Sequence, residues 1–240
     1  MKMTHKSILG GLIVFCLVSC NKDANKNLHL TGNIEGLSQG KLYIQQVQDS
    51  TLKIIDSIII KGNSKFDVHI NIESPEMLYL FLDRGQTNSI DNNLSFFAEP
   101  GTIKIETTLK YFFADAKITG SKNHDLYVEF SEMKSKFNDK RMDLMKIEIE
   151  NYQNKKIKDS IGNEALKLNR KKYLYTANFA NIHADKEIAP YLAMSEIADI
   201  NIAFLDSIKT KMNSDVAESK YGKMLSTYVD NRKKTENKAK

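Results

Sequence analysis

Hydrophobic and polar residues alternate in short runs along the first half of the chain. Between residues 64 and 72, Phe66, Val68 and Ile70 alternate with polar neighbours. Successive side chains of a β-strand point to opposite faces, so this period of two predicts a half-buried strand. Gly, Asn, Asp and Ser separate this run from the next ones, as turn residues do.

Seven other short runs of this kind are separated by similar turn residues. They lie at 28–34, 42–47, 52–60, 77–82, 93–98, 102–106 and 116–119. Two of them, 52–60 and 77–82, are apolar on nearly both faces, which is typical of central strands. About eight short strands with no helix between them predict an antiparallel β-sandwich over residues 28–120.

The period changes to three or four residues after Gly120, with charged residues between the apolar ones. The apolar positions are Leu126, Phe130, Met133, Phe137, Met142, Met145, Ile149 and Tyr152. This spacing predicts a long helix that opens near Ser121 and is interrupted at Gly162-Asn163. Further helices are predicted at 164–183, 190–200, 199–212 and 216–229. The fold class is therefore α+β, with a β-sandwich followed by an all-α region over residues 121–231.

The first twenty residues have the pattern of a secretory leader. Lys2 and Lys6 precede the apolar run 8–18, which is too short to span a membrane. Leu17-Val18-Ser19-Cys20 resembles the lipobox of bacterial lipoproteins, in which the cysteine is lipidated, whereas Cys16 follows a bulky residue. We expect a signal peptide at 1–19, lipidation of Cys20 and a polar tether at 20–27. The alternative is an ordinary cleavage site beside an incidental cysteine.

Charge adds little to this picture. The chain carries 35 Lys and Arg residues against 30 Asp and Glu, a net charge of +5. This bias is too small to indicate a nucleic-acid partner. Part of the excess lies in the last residues, 232–240, which we expect to form a basic, disordered tail. The alternative is a basic arm that contacts anionic lipid or an acidic partner.

No catalytic, cofactor-binding or metal-binding constellation is recognisable in the sequence. His29 and His69 fall on the polar phases of strands, and His124 and His183 lie near helix ends. None is spaced from another ligand as metal sites require, so we expect each to be a solvated surface residue. We therefore predict that the protein is not an enzyme and has no cofactor.

Several stretches in the sandwich half resemble an envelope domain family known only as a domain of unknown function, of the DUF4369 type. They are LTGNI at 30–34, GKLYI at 40–44, the predicted hairpin from Asp56-Ser57 to Lys65-Phe66, FAEPG at 97–101 and ITGSKN at 118–123. In that family a helical segment and then a thioredoxin-like domain commonly follow. IAPYL at 188–192 and KYGK at 220–223 are similar to that helical segment. The chain stops at Lys240, so we expect the redox motif to be missing.

The resemblance and the leader together suggest two functions. The first is a non-enzymatic, lipid-anchored envelope protein that binds or scaffolds a protein partner. The alternative is the docking half of a split thiol–disulfide redox system, with the thioredoxin-like part encoded separately. Asn21 rather than Asp follows Cys20, which favours the outer membrane. We expect the anchored protein to face the periplasm, while Lys22 and Asp23 loosely resemble a surface-export tag.

Overall fold

The computed structural model describes residues 26–48, 50–84 and 90–238 and has the predicted α+β architecture. Its eight strands are β1 (Leu28–Glu35), β2 (Gln39–Gln48), β3 (Thr51–Lys61), β4 (Lys65–Ile70), β5 (Glu76–Asp83), β6 (Asn93–Ala98), β7 (Gly101–Thr108) and β8 (Lys117–Thr119). The six helices are α1 (Lys122–Glu150), α2 (Lys155–Ile182), α3 (Ile188–Glu196), α4 (Ile202–Lys211), α5 (Ser214–Glu218) and α6 (Lys220–Lys238).

The strands form two four-stranded sheets. The first sheet has the order β4-β1-β7-β8 and the second the order β3-β2-β5-β6. The pairs are antiparallel, as predicted, except that β1 and β7 run parallel. A parallel pair needs a long connection, and here the chain passes through the second sheet before β7 returns beside β1.

The inward residues of both sheets form the core of the sandwich. In β1 the alternation LHLTGNIE buries Leu28, Leu30 and Ile34 completely, as the period of two predicted. Gly32 holds the remaining inward position of that strand, where a Cβ would lie 2.1 Å from the Ile105 carbonyl oxygen. The ring of Phe66 fills the space above it, so glycine is required for close packing rather than for flexibility.

Strands β3 and β5 were both predicted to be central strands. The prediction is confirmed for β5 and wrong for β3. Strand β5 lies between β2 and β6 and is buried on both faces, but β3 is an edge strand and mostly exposed. The register between β2 and β3 shifts after Ile44, because Asp56 pairs with Ile44 while Ile54 pairs with Gln45. Ile55 is the extra residue of this bulge, and the bulge turns Ile54 toward the outer face.

Helices α1 and α2 form an antiparallel hairpin, and its turn does not lie at the position that the sequence predicted. The predicted break at Gly162-Asn163 is wrong, because Gly162 lies inside α2 and the turn comes at residues 151–154. Asn154 caps α2 by accepting a hydrogen bond from the Ile157 N–H at 3.2 Å. A helical glycine costs only about 1 kcal/mol relative to alanine, which a long helix tolerates.

The predicted opening of α1 agrees with the structure, whereas α3 begins at Ile188, before the predicted start at Pro190. Ser121 is the N-cap of α1, and its hydroxyl accepts the His124 N–H at 3.0 Å. Pro190 lies in the first turn of α3, where proline leaves no intrahelical hydrogen bond unmade.

The prediction of a disordered tail is wrong for residues 232–238, because they continue helix α6. Arg232 donates hydrogen bonds from Nη1 to the carbonyl oxygens of Ala198 at 2.9 Å and Ile200 at 2.8 Å. Its side chain therefore ties the end of the chain to the segment that follows α3, and the helix does not fray there.

In the part of the chain that the structure describes, no helix has both the length and the apolarity needed to cross a bilayer. The predicted signal peptide at 1–19, Cys20 and most of the tether at 20–27 lie outside the described residues and stay predictions.

Candidate functional site

The outer face of the second sheet carries many large apolar side chains, and the helices cover only half of it. Met77 and Tyr79 of β5 and Phe97 of β6 point away from the sandwich core. They pack against helical residues that include Phe130 and Leu192. Contact with the helices on one face and with the core on the other explains why β5 is apolar between Met77 and Leu82.

Aromatic rings dominate this junction between sheet and helices. The ring of Phe97 meets Tyr191 edge-on, with centroids 5.6 Å apart, and lies 6.0 Å from Tyr221. Tyr191 and Tyr221 are themselves 5.0 Å apart. These side chains hold the helices on the sheet, because edge-to-face and tilted pairs add to the energy of apolar burial.

The other half of the same face is open. Val47, Leu52, Ile54 and Ile59 lie on it, and we call them the open face. Ile54 is 57% exposed and Ile59 is 63% exposed. Val47 pairs with Leu52 across the β2–β3 ladder and Ile54 follows on the same face, whereas the cross-strand partners of Ile54 and Ile59 are Gln45 and Lys41. An adjoining group of exposed aliphatic side chains is typical of an interaction surface.

A cleft of about 910 Å³ lies where the open face meets the helices. Its lining includes Val47, Tyr79, Met194, Tyr221 and Met224. Met224 is 46% exposed. Methionine side chains adapt to different apolar partners, so this end of the cleft suits binding.

A buried carboxylate lies at the polar end of the cleft. Glu76 accepts hydrogen bonds from Gln46 Nε2 at 2.8 and 2.9 Å and forms an ion pair with Lys220 at 2.5 Å. The Lys220 ammonium also donates to the Val47 carbonyl at 3.1 Å. Glu76 is nearly inaccessible to solvent, so these partners replace its water. The network fixes the first turn of α6 against β2 and β5.

The tyrosines of the junction are hydrogen-bonding groups rather than bases. Burial raises the pKa of Tyr191 and of Tyr221 far above the ordinary value of 10.0. Burial, with a smaller effect of Tyr127, also raises the pKa of Tyr79. All three hydroxyls therefore stay protonated at neutral pH. The Tyr221 hydroxyl accepts a hydrogen bond from the Met77 N–H at 3.1 Å.

The structure brings together two histidines that the sequence had treated separately. His29 of β1 and His69 of β4 are cross-strand partners on the outer face of the first sheet, with Asp67 beside them. Their rings stack with centroids 4.2 Å apart. Asp67 and His69 are two residues apart on one strand face, which was the available sequence signal, but the approach of His29 depends on strand pairing.

The prediction that His124 is a solvated surface residue is wrong, because its side chain is buried. Its Nδ1 accepts a hydrogen bond from the Phe97 N–H at 3.3 Å, so it connects α1 to β6. Burial lowers the pKa of His124 and Asp125 raises it by less. His183 lies against the ring of Phe179 at a centroid distance of 4.5 Å.

The sandwich half of the chain matches a known protein family. Residues 28–127 match the model of a family described as a domain of unknown function, DUF4369. The match covers the sandwich and the first turn of α1, which agrees with the resemblance seen in the sequence. Among curated proteins, none matches the chain.

Proposed function

We propose that the protein is a lipid-anchored component of the bacterial cell envelope that binds a partner polypeptide and catalyses no reaction. The partner would lie on the open face and extend into the neighbouring cleft. One observation carries this proposal: an apolar sheet face that the helices cover on one half is left exposed on the other.

An extended segment is the occupant that fits strand β3. Among the described strands, β2 is the only neighbour of β3. The outer edge of this 11-residue strand therefore has no strand beside it among the described residues, although the Ser57 N–H already donates to the Asp56 carboxylate at 2.7 Å. Lys, Pro and bulges protect natural edge strands; β3 has the bulge at Ile55, but between Lys53 and Lys61 its only charged residue is Asp56. A partner strand could add here through main-chain hydrogen bonds.

Side chains would supply specificity. Alternate residues of an added strand would lie beside Leu52, Ile54 and Ile59 on the outer face of the sheet. We expect them to be apolar, because a polar side chain would lose its water there without gaining a partner. The methionines of the cleft, Met194 and Met224, would adjust to the end of the segment.

Photo-cross-linking in intact cells tests this binding. A photoreactive amino acid would replace Ile54 on the open face or Met224 in the cleft of the full chain. Ile149 is the matched control, because it is apolar and 71% exposed but lies near the end of α1. We expect one adduct of the same mass from positions 54 and 224 and no such adduct from position 149.

The partner found in this way is then purified and its affinity measured. Ile54→Lys combined with Ile59→Lys should weaken its binding at least tenfold, while Ile149→Lys should not. Equal adducts at all three positions, or unchanged affinity of the double variant, would contradict the proposed surface. A partner with a Cys-x-x-Cys motif would favour the alternative role as the docking half of a redox system.

The proposed location is the periplasmic face of the outer membrane. The lipobox pattern at Cys20 and the Asn21 that follows it support this part of the proposal. The tether at 20–27 spans at most about 28 Å, so it would hold the sandwich close to the lipid surface. Protease added to intact cells should leave the protein uncut, and its digestion would instead indicate display on the cell surface.

A further inference from the structure

We propose that His29, Asp67 and His69 form a binding site for a divalent transition-metal ion, with Zn²⁺ as the best-fitting ion. We call these three residues the His-Asp-His site. The site lies on the outer face of the first sheet, whereas the open face and the cleft belong to the second. It therefore stands independently of the partner binding proposed above.

Strand pairing brings the three side chains together. His29 pairs directly with His69 across the β1–β4 ladder, and Asp67 pairs with Thr31. Since residues two apart on a strand share a face, Asp67 and His69 point to the same side as His29. Both strands belong to the sandwich and have inward faces that are packed in its core, so the backbone beneath the site is rigid.

The distances fit a single small ion. In the Asp67 carboxylate, Oδ2 lies 2.8 Å from His29 Nε2 and Oδ1 lies 3.8 Å from His69 Nδ1. Ligand atoms of a tetrahedral zinc site, each about 2.0–2.1 Å from the metal, are about 3.4 Å apart. The two observed distances bracket that value. The three ligand atoms all lie within 4.8 Å of one another, so side-chain shifts on the order of 1 Å would close the site.

The ligand types and their surroundings favour a transition metal over calcium or magnesium. Two imidazole nitrogens and one carboxylate are ligands typical of zinc, whereas Ca²⁺ and Mg²⁺ prefer oxygen ligands only. The nearest cation on the neighbouring strand, Lys104, is paired with Glu106 at 2.6 Å. The side chains of His29, Asp67 and His69 are 30%, 63% and 42% exposed. An ion can therefore enter from solvent and keep a water molecule as its fourth ligand.

Calorimetric titration of the full chain with ZnCl₂ tests the site, with CaCl₂ as a second titrant. We expect one Zn²⁺ bound per chain and no binding of Ca²⁺. His29→Ala, His69→Ala and Asp67→Asn should each weaken Zn²⁺ binding at least tenfold. The matched controls are His183→Ala and Glu132→Gln, which remove a histidine and an exposed carboxylate from the helices, and both should bind as the unmodified chain does.

Cobalt spectroscopy gives a second readout that does not depend on the heat of binding. Co²⁺ in the site should show visible absorption bands of nitrogen and oxygen coordination, and these bands should be lost in Asp67→Asn. This substitution preserves the size of the side chain, so the sandwich should keep its circular dichroism. No Zn²⁺ binding by the unmodified chain, or equal binding by the site variants and the controls, would overturn the proposal.

Discussion

Loss of the ion pair between Glu76 and Lys220 should destabilise the protein more when Glu76 is the residue left behind. Glu76 is buried on the sheet side of the cleft, while the side chain of Lys220 is 30% exposed and can reach water. Lys220→Met would leave a buried carboxylate with Gln46 as its remaining donor and should lower the free energy of unfolding by about 2–3 kcal/mol. Glu76→Gln should cost less, because the lysine left behind stays solvated.

Urea unfolding of the full chain measures both changes. Lys223→Met is the matched control, because Lys223 pairs with Glu218 on an exposed surface and such pairs contribute at most about 1 kcal/mol. Equal shifts for Lys220→Met and Lys223→Met would show that burial of Glu76 does not set the energy of its ion pair.

His124 should make stability depend on pH. Burial lowers its pKa below the ordinary value of 6.5, so the unfolded chain binds the proton more readily than the folded one. Its contribution to stability is complete above about pH 6.5 and is lost as the pH falls through the lower pKa of the folded state. His124→Asn keeps an acceptor for the Phe97 N–H and removes the titration.

The variant should therefore lose less stability than the unmodified chain between about pH 7.5 and pH 5.5. Urea midpoints at the two pH values measure the difference, and His183→Asn serves as the control for loss of another histidine. A pH dependence that is the same in His124→Asn and in the unmodified chain would contradict this role for His124.

At the scale of elements, periodicity predicted which kind of element forms but not where each one lies. The apolar run at 52–60 predicts a central strand, because burial on two faces is the usual reason for such a run. The bulge at Ile55 turns part of the run toward the outer face, and the strand lies at the edge of its sheet. Nothing in the local sequence distinguishes these two cases.

The same limit applies to both candidate sites. The exposed character of the open face depends on how far the helices reach across the second sheet, which is a property of packing. The His-Asp-His site depends on the pairing of β1 with β4 across a sequence separation of 40 residues between its two histidines. Asp67-x-His69 is visible locally, but its partner is not.

The end of helix α6 is held by Arg232 together with the ion pair between Lys233 and Asp206 of α4. Arg232→Ala would remove the two hydrogen bonds to the Ala198 and Ile200 carbonyls and should destabilise the chain by about 2 kcal/mol. Lys234→Ala, at an exposed position of the same helix, should change stability by less than about 0.5 kcal/mol. Thermal unfolding compares them, and similar melting temperatures for the two variants would mean that the end of α6 is not fixed by Arg232.

At the scale of the whole molecule, the sandwich has its own core but shares its outer face with the helices. A fragment of residues 26–120 should fold, since the core between the two sheets is complete within it. It should also expose Met77, Tyr79 and Phe97, which the helices cover in the full chain. We expect β-type circular dichroism together with stronger binding of a hydrophobic dye than the full chain shows. Dye binding equal to that of the full chain would contradict the packing of the helices against these three residues.

The attachment of the whole molecule to a membrane is predicted to depend on one residue outside the described part of the chain. Stable anchoring takes more than one acyl chain, and a lipidated Cys20 would supply them. Cys20→Ala should therefore move the protein from the membrane to the soluble fraction, or leave it with its signal peptide uncleaved. Cys16→Ala is the matched control, because it removes the other cysteine and should leave the anchor intact. Fractionation after a carbonate wash measures both, and a mature Cys20→Ala protein that stays with the membrane would show that another attachment holds it there.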